Sequence, residues 1–145
     1  MAYWDTSALL KLYIEEADSA YFDSLASQLP GPIVSTHLAR VEVLCALYQK
    51  ENAGHIGPGA AAEAFQKFLA DLHSGRIDTV PPGPDVWTQV ERVLQIAFHR
   101  PRPVLFRSLD AIHVASALAS SATVVVATDR RLREVATSAG LRVLP

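Results

Sequence analysis

Residues 109–144 read LDAIHVASALASSATVVVATDRRLREVATSAGLRVL, and they change twice from helical to strand composition. The almost wholly apolar segment at 109–120 predicts a buried helix, and the β-branched run at 123–127 predicts a strand. A second helix is expected at 130–138 and a final strand at 141–144, after a glycine. Helices and strands that alternate in this way favour a parallel sheet covered by helices on both faces.

The rest of the chain continues this alternation. We expect further strands at 2–6, 33–35 and 76–80, and further helices at 7–13, 18–29, 36–50, 60–72 and 84–98. No repeat or low-complexity segment divides the chain. The sequence thus predicts an α/β fold, a three-layer α/β/α sandwich around a central, mostly parallel sheet, built as a single domain over residues 1–145.

Length and composition indicate the class of protein. With 145 residues, of which 50% are hydrophobic, the chain is long enough to bury one core. It has no apolar run long enough to span a bilayer, and its first residues lack the features of a signal peptide, so we expect a soluble, cytoplasmic protein with no membrane contact. The one cysteine, Cys45, lies in an apolar stretch and is expected to pack as a small hydrophobic side chain.

Charge is unevenly distributed along the chain, although the formal net charge is only −2. Residues 1–72 hold four basic and nine acidic side chains, whereas residues 73–145 hold nine arginines and six acidic side chains. This pattern suits contact between the C-terminal half and phosphate groups. Ordinary solvated surface charge explains it equally well.

Four carboxylates occupy positions where acids are uncommon. Asp5 and Asp129 each follow a predicted buried strand, at the sheet edge where open α/β folds bind their ligands. Glu42 has apolar residues one helical turn away on either side, and Asp110 opens the apolar helix. Each position also has an ordinary explanation: a helix N-cap for Asp5 and Asp129, a favourable helix dipole for Asp110, and a boundary position with a solvated head for Glu42.

The predicted topology allows one cleft to collect all four acids. Carboxylates that lie close together repel one another unless cations neutralise them. A set of oxygen ligands with few or no histidines suits Mg²⁺ or Mn²⁺ better than zinc. The functional hypothesis is therefore an acidic metal site formed by Asp5, Glu42, Asp110 and Asp129.

The segments around these acids resemble the four acidic motifs of the PIN-domain family. They are YWDTSAL at 3–9, ARVEV at 39–43, LDAIHVA at 109–115 and ATDRRL at 127–132. Their order and separations fit the family over nearly the whole chain. Within the family, the chain looks most like the VapC toxins of type II toxin–antitoxin pairs.

The resemblance implies a Mg²⁺-dependent endoribonuclease that forms a homodimer and is inhibited by a VapB-like antitoxin. It assigns the four acids to the metal site and gives Thr6 or Ser7 a supporting hydrogen bond to the first acid. Many relatives carry Ser or Thr two positions before the fourth acid, where this chain has Ala127, with Thr128 next to Asp129 instead. This departure leaves open whether Asp129 contacts the metal directly and whether Thr128 supports it.

An acidic cleft that binds RNA also needs basic groups nearby. The candidates are Arg100, Arg102, Arg107, Arg130 and Arg131. His113 lies in the third motif, but a lone histidine in an apolar helix is commonly packed and hydrogen-bonded. Metal-assisted hydrolysis needs no histidine, so we expect His113 to be structural.

Two other functions stay open at this point. An aspartate-nucleophile phosphohydrolase would use Asp5, but such enzymes usually carry a second aspartate two residues later, where this chain has Ser7. A non-catalytic PIN-like module would only bind RNA or a partner. The apolar helices at 8–29 and 36–50 offer surfaces for an antitoxin or for a second copy of the chain.

Overall fold

Five short strands and seven helices make up the computed structural model, which describes residues 1–145. The strands are β1 (Ala2–Trp4), β2 (Ile33–Thr36), β3 (Ile77–Val80), β4 (Val124–Val126) and β5 (Arg142–Leu144). The helices are α1 (Thr6–Leu10), α2 (Ser19–Gln28), α3 (Ala39–Asn52), α4 (Ala60–Ser74), α5 (Pro84–Phe98), α6 (Ser108–Ala119) and α7 (Arg130–Ser138). None of these helices has both the length and the apolar character needed to cross a membrane.

The sheet is parallel throughout, with strand order β3-β2-β1-β4-β5. This confirms the predicted α/β class and its parallel sheet. The chain leaves the central strand β1 toward β2 and β3, and it later returns to pair β4 with the other side of β1. The connections therefore diverge at the carboxyl ends of β1 and β4, where open parallel sheets form a crevice.

Side chains alternate between the two faces of the sheet and build a core on each. Tyr3 points into a cluster that includes Val93 of α5 and Val114 of α6. Its neighbour Trp4 points the other way, into a cluster shared with Phe22 and Phe68. This alternation places α5, α6 and α7 on one face and α1 to α4 on the other, which gives the predicted three layers.

Four local predictions need correction, the first being the helix expected at 7–13, which ends at Leu10. β1 ends at Trp4 instead of continuing to residue 6, because Asp5 turns the chain and caps α1. The third helix begins at Ala39 and not near residue 36, because Thr36 pairs with Val80 in the sheet. Cys45 is exposed instead of buried, since the buried face of α3 runs through Ala39, Val43 and Leu47.

Candidate active site

Asp5 follows the central strand directly and is almost completely buried, with only 4% of its surface exposed. One carboxylate oxygen accepts the Ala8 backbone N–H at 2.9 Å, as an N-cap does. The Ser7 hydroxyl lies 2.8 and 2.7 Å from the two oxygens. No basic side chain forms an ion pair with Asp5, and burial raises its pKa although these hydrogen bonds oppose the shift.

Ser7 connects Asp5 to the neighbouring strand end. Its Oγ accepts from the Thr128 hydroxyl at 2.7 Å and from the Thr128 backbone N–H at 3.2 Å. Thr128 therefore supports Asp5 by hydrogen bonds to Ser7, and it forms no hydrogen bond with the side chain of its neighbour Asp129. Of the two hydroxyls considered for Asp5, Thr6 points elsewhere, and its Oγ1 lies 3.5 Å from Nε2 of His113.

Asp110 lies in the first turn of α6, where Arg107 holds both of its carboxylate oxygens. The guanidinium donates from Nε at 2.7 Å and from Nη2 at 3.1 Å. The same Nη2 lies 3.7 Å from Oδ2 of Asp129. These carboxylates, with Asp110 first, raise the pKa of Arg107. Arg107 thus links two of the predicted site acids by charge.

Asp129 caps α7 two residues after the expected strand region ends. Its Oδ1 accepts the backbone N–H groups of Arg131 at 2.9 Å and Leu132 at 3.0 Å. Its other oxygen, Oδ2, faces Arg107. The N-cap interpretation and the site interpretation of this residue therefore describe different oxygens of one carboxylate.

Glu42 reaches the site from α3, but not from the apolar helix face that the sequence suggested. Its side chain is 22% exposed and lies at the edge of the buried face. Both carboxylate oxygens contact Nε2 of His113, at 3.0 and 3.2 Å. His113 is only 2% exposed, and its Nδ1 lies 2.9 Å from the Tyr3 hydroxyl. It is packed and hydrogen-bonded, as expected, but one of its partners is a predicted site acid.

The four acids lie near one another at one edge of the sheet, and Arg107 faces two of them, Asp110 and Asp129. No three carboxylate, imidazole or thiol groups are arranged around a common point that could hold a metal ion. Their donor chemistry nevertheless fits a hard divalent cation, since all four offer carboxylate oxygens. Asp5 also fits a cation, because it is a buried carboxylate without a basic partner and such a group needs a compensating charge.

The predicted RNA-contact arginines fall into two groups. Four of them line a cavity of about 800 Å³ beside Asp129, namely Arg102, Arg107, Arg130 and Arg131. Arg100 is absent from that lining and pairs with Glu134 at 3.0 Å. The cavity joins positive side chains to the acidic edge, which is an arrangement suited to a polyanion.

One protein-family model covers most of this chain. The family model described as "PIN domain" matches residues 2–138. The chain belongs to the PIN-domain family. Two curated PIN relatives from Mycobacterium tuberculosis strains, ribonucleases VapC45 and VapC49, are each 32% identical over 153 aligned residues, covering all of this chain and 95% of theirs. The chain is therefore a PIN-domain protein of the VapC ribonuclease group.

Solved structures share the PIN fold at lower sequence identity. M. tuberculosis VapC20, described as a sarcin–ricin loop cleaving toxin, matches with a TM-score of 0.69 and 18% identity over 97% of this chain and 96% of that one. VapBC-1 from nontypeable Haemophilus influenzae matches with a TM-score of 0.66 and 15% identity over 99% and 97%. These similarities support the three-layer fold.

Two sets of contacts in this PIN domain, one around Arg107 and one around His113, were not predicted from sequence. The sequence predicts only an RNA contact for Arg107, yet its guanidinium pairs with Asp110 and approaches Asp129. The sequence predicts a packed, hydrogen-bonded His113 but not its partners, which are Tyr3 at Nδ1 and Glu42 at Nε2. The sequence does place both residues close to motif acids. Tyr3 lies two residues before Asp5, and His113 lies three residues after Asp110.

Proposed function

We propose that this PIN domain, over residues 1–145, is a divalent-cation-dependent endoribonuclease and the toxin of a VapBC-type toxin–antitoxin pair. Asp5 is the observation that carries the proposal. It is a buried carboxylate at the carboxyl end of the central strand, without a basic partner and with three other acids at the same edge. A cation is the natural compensation for such a group, because burying an unpaired charge is costly.

In this proposal Asp5, Glu42, Asp110 and Asp129 hold Mg²⁺ or Mn²⁺. Such an ion, when bound, lowers the pKa of a water molecule and stabilises charge on the phosphodiester. The chain's own residues orient the ligands: Thr128 and Ser7 hold Asp5, and the α7 N-terminus holds one oxygen of Asp129. The second oxygen of Asp129 takes no part in the cap and lies 3.7 Å from Nη2 of Arg107, and this position supports its inclusion as a direct ligand.

The proposed substrate is RNA, bound through its phosphates. Arg102, Arg130 and Arg131 are exposed and line the cavity next to the acids, where they would neutralise the backbone of a polynucleotide. Arg100 contributes less, since Glu134 pairs with it. The VapC20 neighbour is described as cleaving the sarcin–ricin loop, which supports a structured RNA as the substrate class.

The proposed partners are a VapB-like antitoxin and a second copy of the chain, in the cytoplasm. Two of the structural neighbours are toxin–antitoxin assemblies, from Klebsiella pneumoniae and from H. influenzae. On α3, Val41 is 68% exposed and Tyr48 50% exposed. Exposed apolar side chains on one helix suit burial against another protein.

Cleavage of total bacterial RNA by the purified protein tests the proposed activity. We expect discrete products with Mg²⁺ or Mn²⁺, loss of cleavage with EDTA, and loss of cleavage in Asp5→Asn. Asp23→Asn is the matched control, because Asp23 is an exposed acid on α2 that is remote in sequence from all four motifs. Cleavage by Asp5→Asn at the wild-type rate would contradict the proposed site, and no cleavage by any form would favour a non-catalytic binding module.

A further inference from the structure

We propose that His113 is a positioning residue that holds the Glu42 carboxylate in the active site, while Tyr3 fixes the imidazole from within the core. The proposal rests on the function proposed above, because it concerns one of the four acids of that site. It assigns a positioning role at the site to His113 and Tyr3, which are not among the four acids.

The contacts form one continuous series across three secondary-structure elements. Tyr3 of β1 lies with its hydroxyl 2.9 Å from Nδ1 of His113 on α6. Nε2 of the same imidazole lies 3.0 and 3.2 Å from the two oxygens of Glu42 on α3. Tyr3 is fully buried and His113 nearly so, whereas Glu42 is partly exposed. This series of contacts therefore connects the buried core to the candidate active site.

The ionised carboxylate of Glu42 fixes the direction of its own hydrogen bond with His113. An ionised carboxylate only accepts, so the imidazole nitrogen that faces Glu42 must carry a proton. In the neutral imidazole the other nitrogen, Nδ1, then has a free lone pair. For this neutral form, the Tyr3 hydroxyl at 2.9 Å is placed to donate to that lone pair. Glu42 and Tyr3 thus favour the same tautomer of the neutral imidazole, Nε2–H.

Glu42 depends on this contact for its orientation. Its carboxylate has no hydrogen-bond partner other than His113. A glutamate side chain with several rotatable bonds loses conformational entropy when it is held in one geometry, and the fixed imidazole limits that freedom before a ligand arrives. Partners of this kind behind a metal ligand commonly change metal affinity by about tenfold to a hundredfold.

A matched pair of amide substitutions separates positioning from packing. In His113→Gln the amide nitrogen can reach the place of Nε2 and donate to Glu42, whereas in His113→Asn the shorter side chain reaches only the place of Nδ1. Both variants put a neutral amide into the same buried position. A merely structural role predicts similar losses in the two variants.

The first measurement is Mn²⁺ affinity by isothermal titration calorimetry, with melting temperature in EDTA as the control for folding. We expect His113→Asn to weaken Mn²⁺ binding by about tenfold and His113→Gln to restore affinity to within about threefold of wild type. Equal affinity in the two variants would overturn the proposal, whether both match wild type or both are weakened.

A second measurement needs no metal. Long-range ¹H–¹⁵N NMR of the histidine ring in EDTA should show the Nε2–H tautomer of His113 in wild type and a smaller share of it in Tyr3→Phe, where only Glu42 still favours that tautomer. An Nδ1–H tautomer in wild type would overturn the proposal. Intact Mn²⁺ binding without RNA cleavage would instead count against the proposed function, and the Asn and Gln variants would still decide the role of His113.

Discussion

Asp5 lowers the stability of the folded protein at neutral pH while it serves the proposed metal site. Burial raises its pKa, so its folded-state pKa lies above that of the unfolded chain. The protonated form is then favoured by folding, and the stability linked to this group is present at low pH and lost as pH rises through the folded pKa. At neutral pH the ionised Asp5 therefore destabilises the folded, metal-free protein.

We accordingly expect Asp5→Asn to raise the free energy of unfolding at pH 7 in EDTA, by on the order of 1 kcal/mol. Asparagine also serves as an N-cap, so α1 should keep its first turn. Urea denaturation from pH 4 to pH 8 measures the effect, and the advantage of the variant should shrink as pH falls. A variant less stable than wild type across this range would contradict the interpretation.

Arg107 is a second case in which one side chain sets the properties of the site. Its guanidinium holds both oxygens of Asp110 and approaches Asp129, so a cation with these ligands must displace it or share them. We expect Arg107→Gln to tighten Mn²⁺ binding by about tenfold, equivalent to about 1.4 kcal/mol.

Arg102→Gln is the control for Arg107→Gln, because it removes the same charge from the same cavity without a contact to an acid. It should change Mn²⁺ affinity far less in the same calorimetric titration. Weaker Mn²⁺ binding in Arg107→Gln than in wild type would show instead that Arg107 supports the Asp110 ligand.

At the scale of secondary-structure elements, the site is built from helix N-termini. Asp5 caps α1, Asp129 caps α7, and Asp110 lies in the first turn of α6. The cap explanations considered from sequence and the site explanation are thus compatible, since a carboxylate has two oxygens. Helix N-termini also place backbone N–H groups and a positive dipole end beside these acids.

Asp129 allows the two roles to be separated. We expect Asp129→Ala to lower the free energy of unfolding by about 1 kcal/mol through loss of the cap, and Asp129→Ser to recover most of that loss. Neither variant should recover wild-type RNA cleavage if the second oxygen binds the cation. Denaturation and cleavage assays on both variants test this, and an active Asp129→Ser would exclude Asp129 as a ligand.

At the scale of the whole molecule, the acids come from different parts of the sandwich. Asp5 follows β1, Asp129 follows β4, and Glu42 and Asp110 lie on helices that cover opposite faces of the sheet. A cation held by all four would connect the three layers. Such binding would stabilise the folded state as a whole, since the unfolded chain does not present the ligands together.

We therefore expect Mn²⁺ at a hundred times its Kd to stabilise the protein by about 2.7 kcal/mol. For a chain of this size that is a rise in melting temperature of several degrees. Differential scanning fluorimetry with and without EDTA measures it. Asp5→Asn should show little or no such rise, and an equal rise in that variant would place the bound cation elsewhere.

The sequence by itself determined the order of strands and helices and the residues most in need of explanation. Alternating apolar strands and helices require a covered parallel sheet, because each element must bury its hydrophobic face. Asp5 and Asp129 stood out because a carboxylate beside an apolar strand is costly without a partner. Both features depend on near neighbours in the chain, so the amino-acid sequence is sufficient to show them.

Only the tertiary structure decided which side chains meet and which helix faces are exposed. His113 and Glu42 are 71 positions apart, and their contact depends on how α3 and α6 pack on the sheet. The same packing leaves Cys45 exposed although its sequence neighbours are apolar. Helical periodicity shows which residues share a face, but the rotation of a helix against its neighbours is fixed by the combined packing of many side chains.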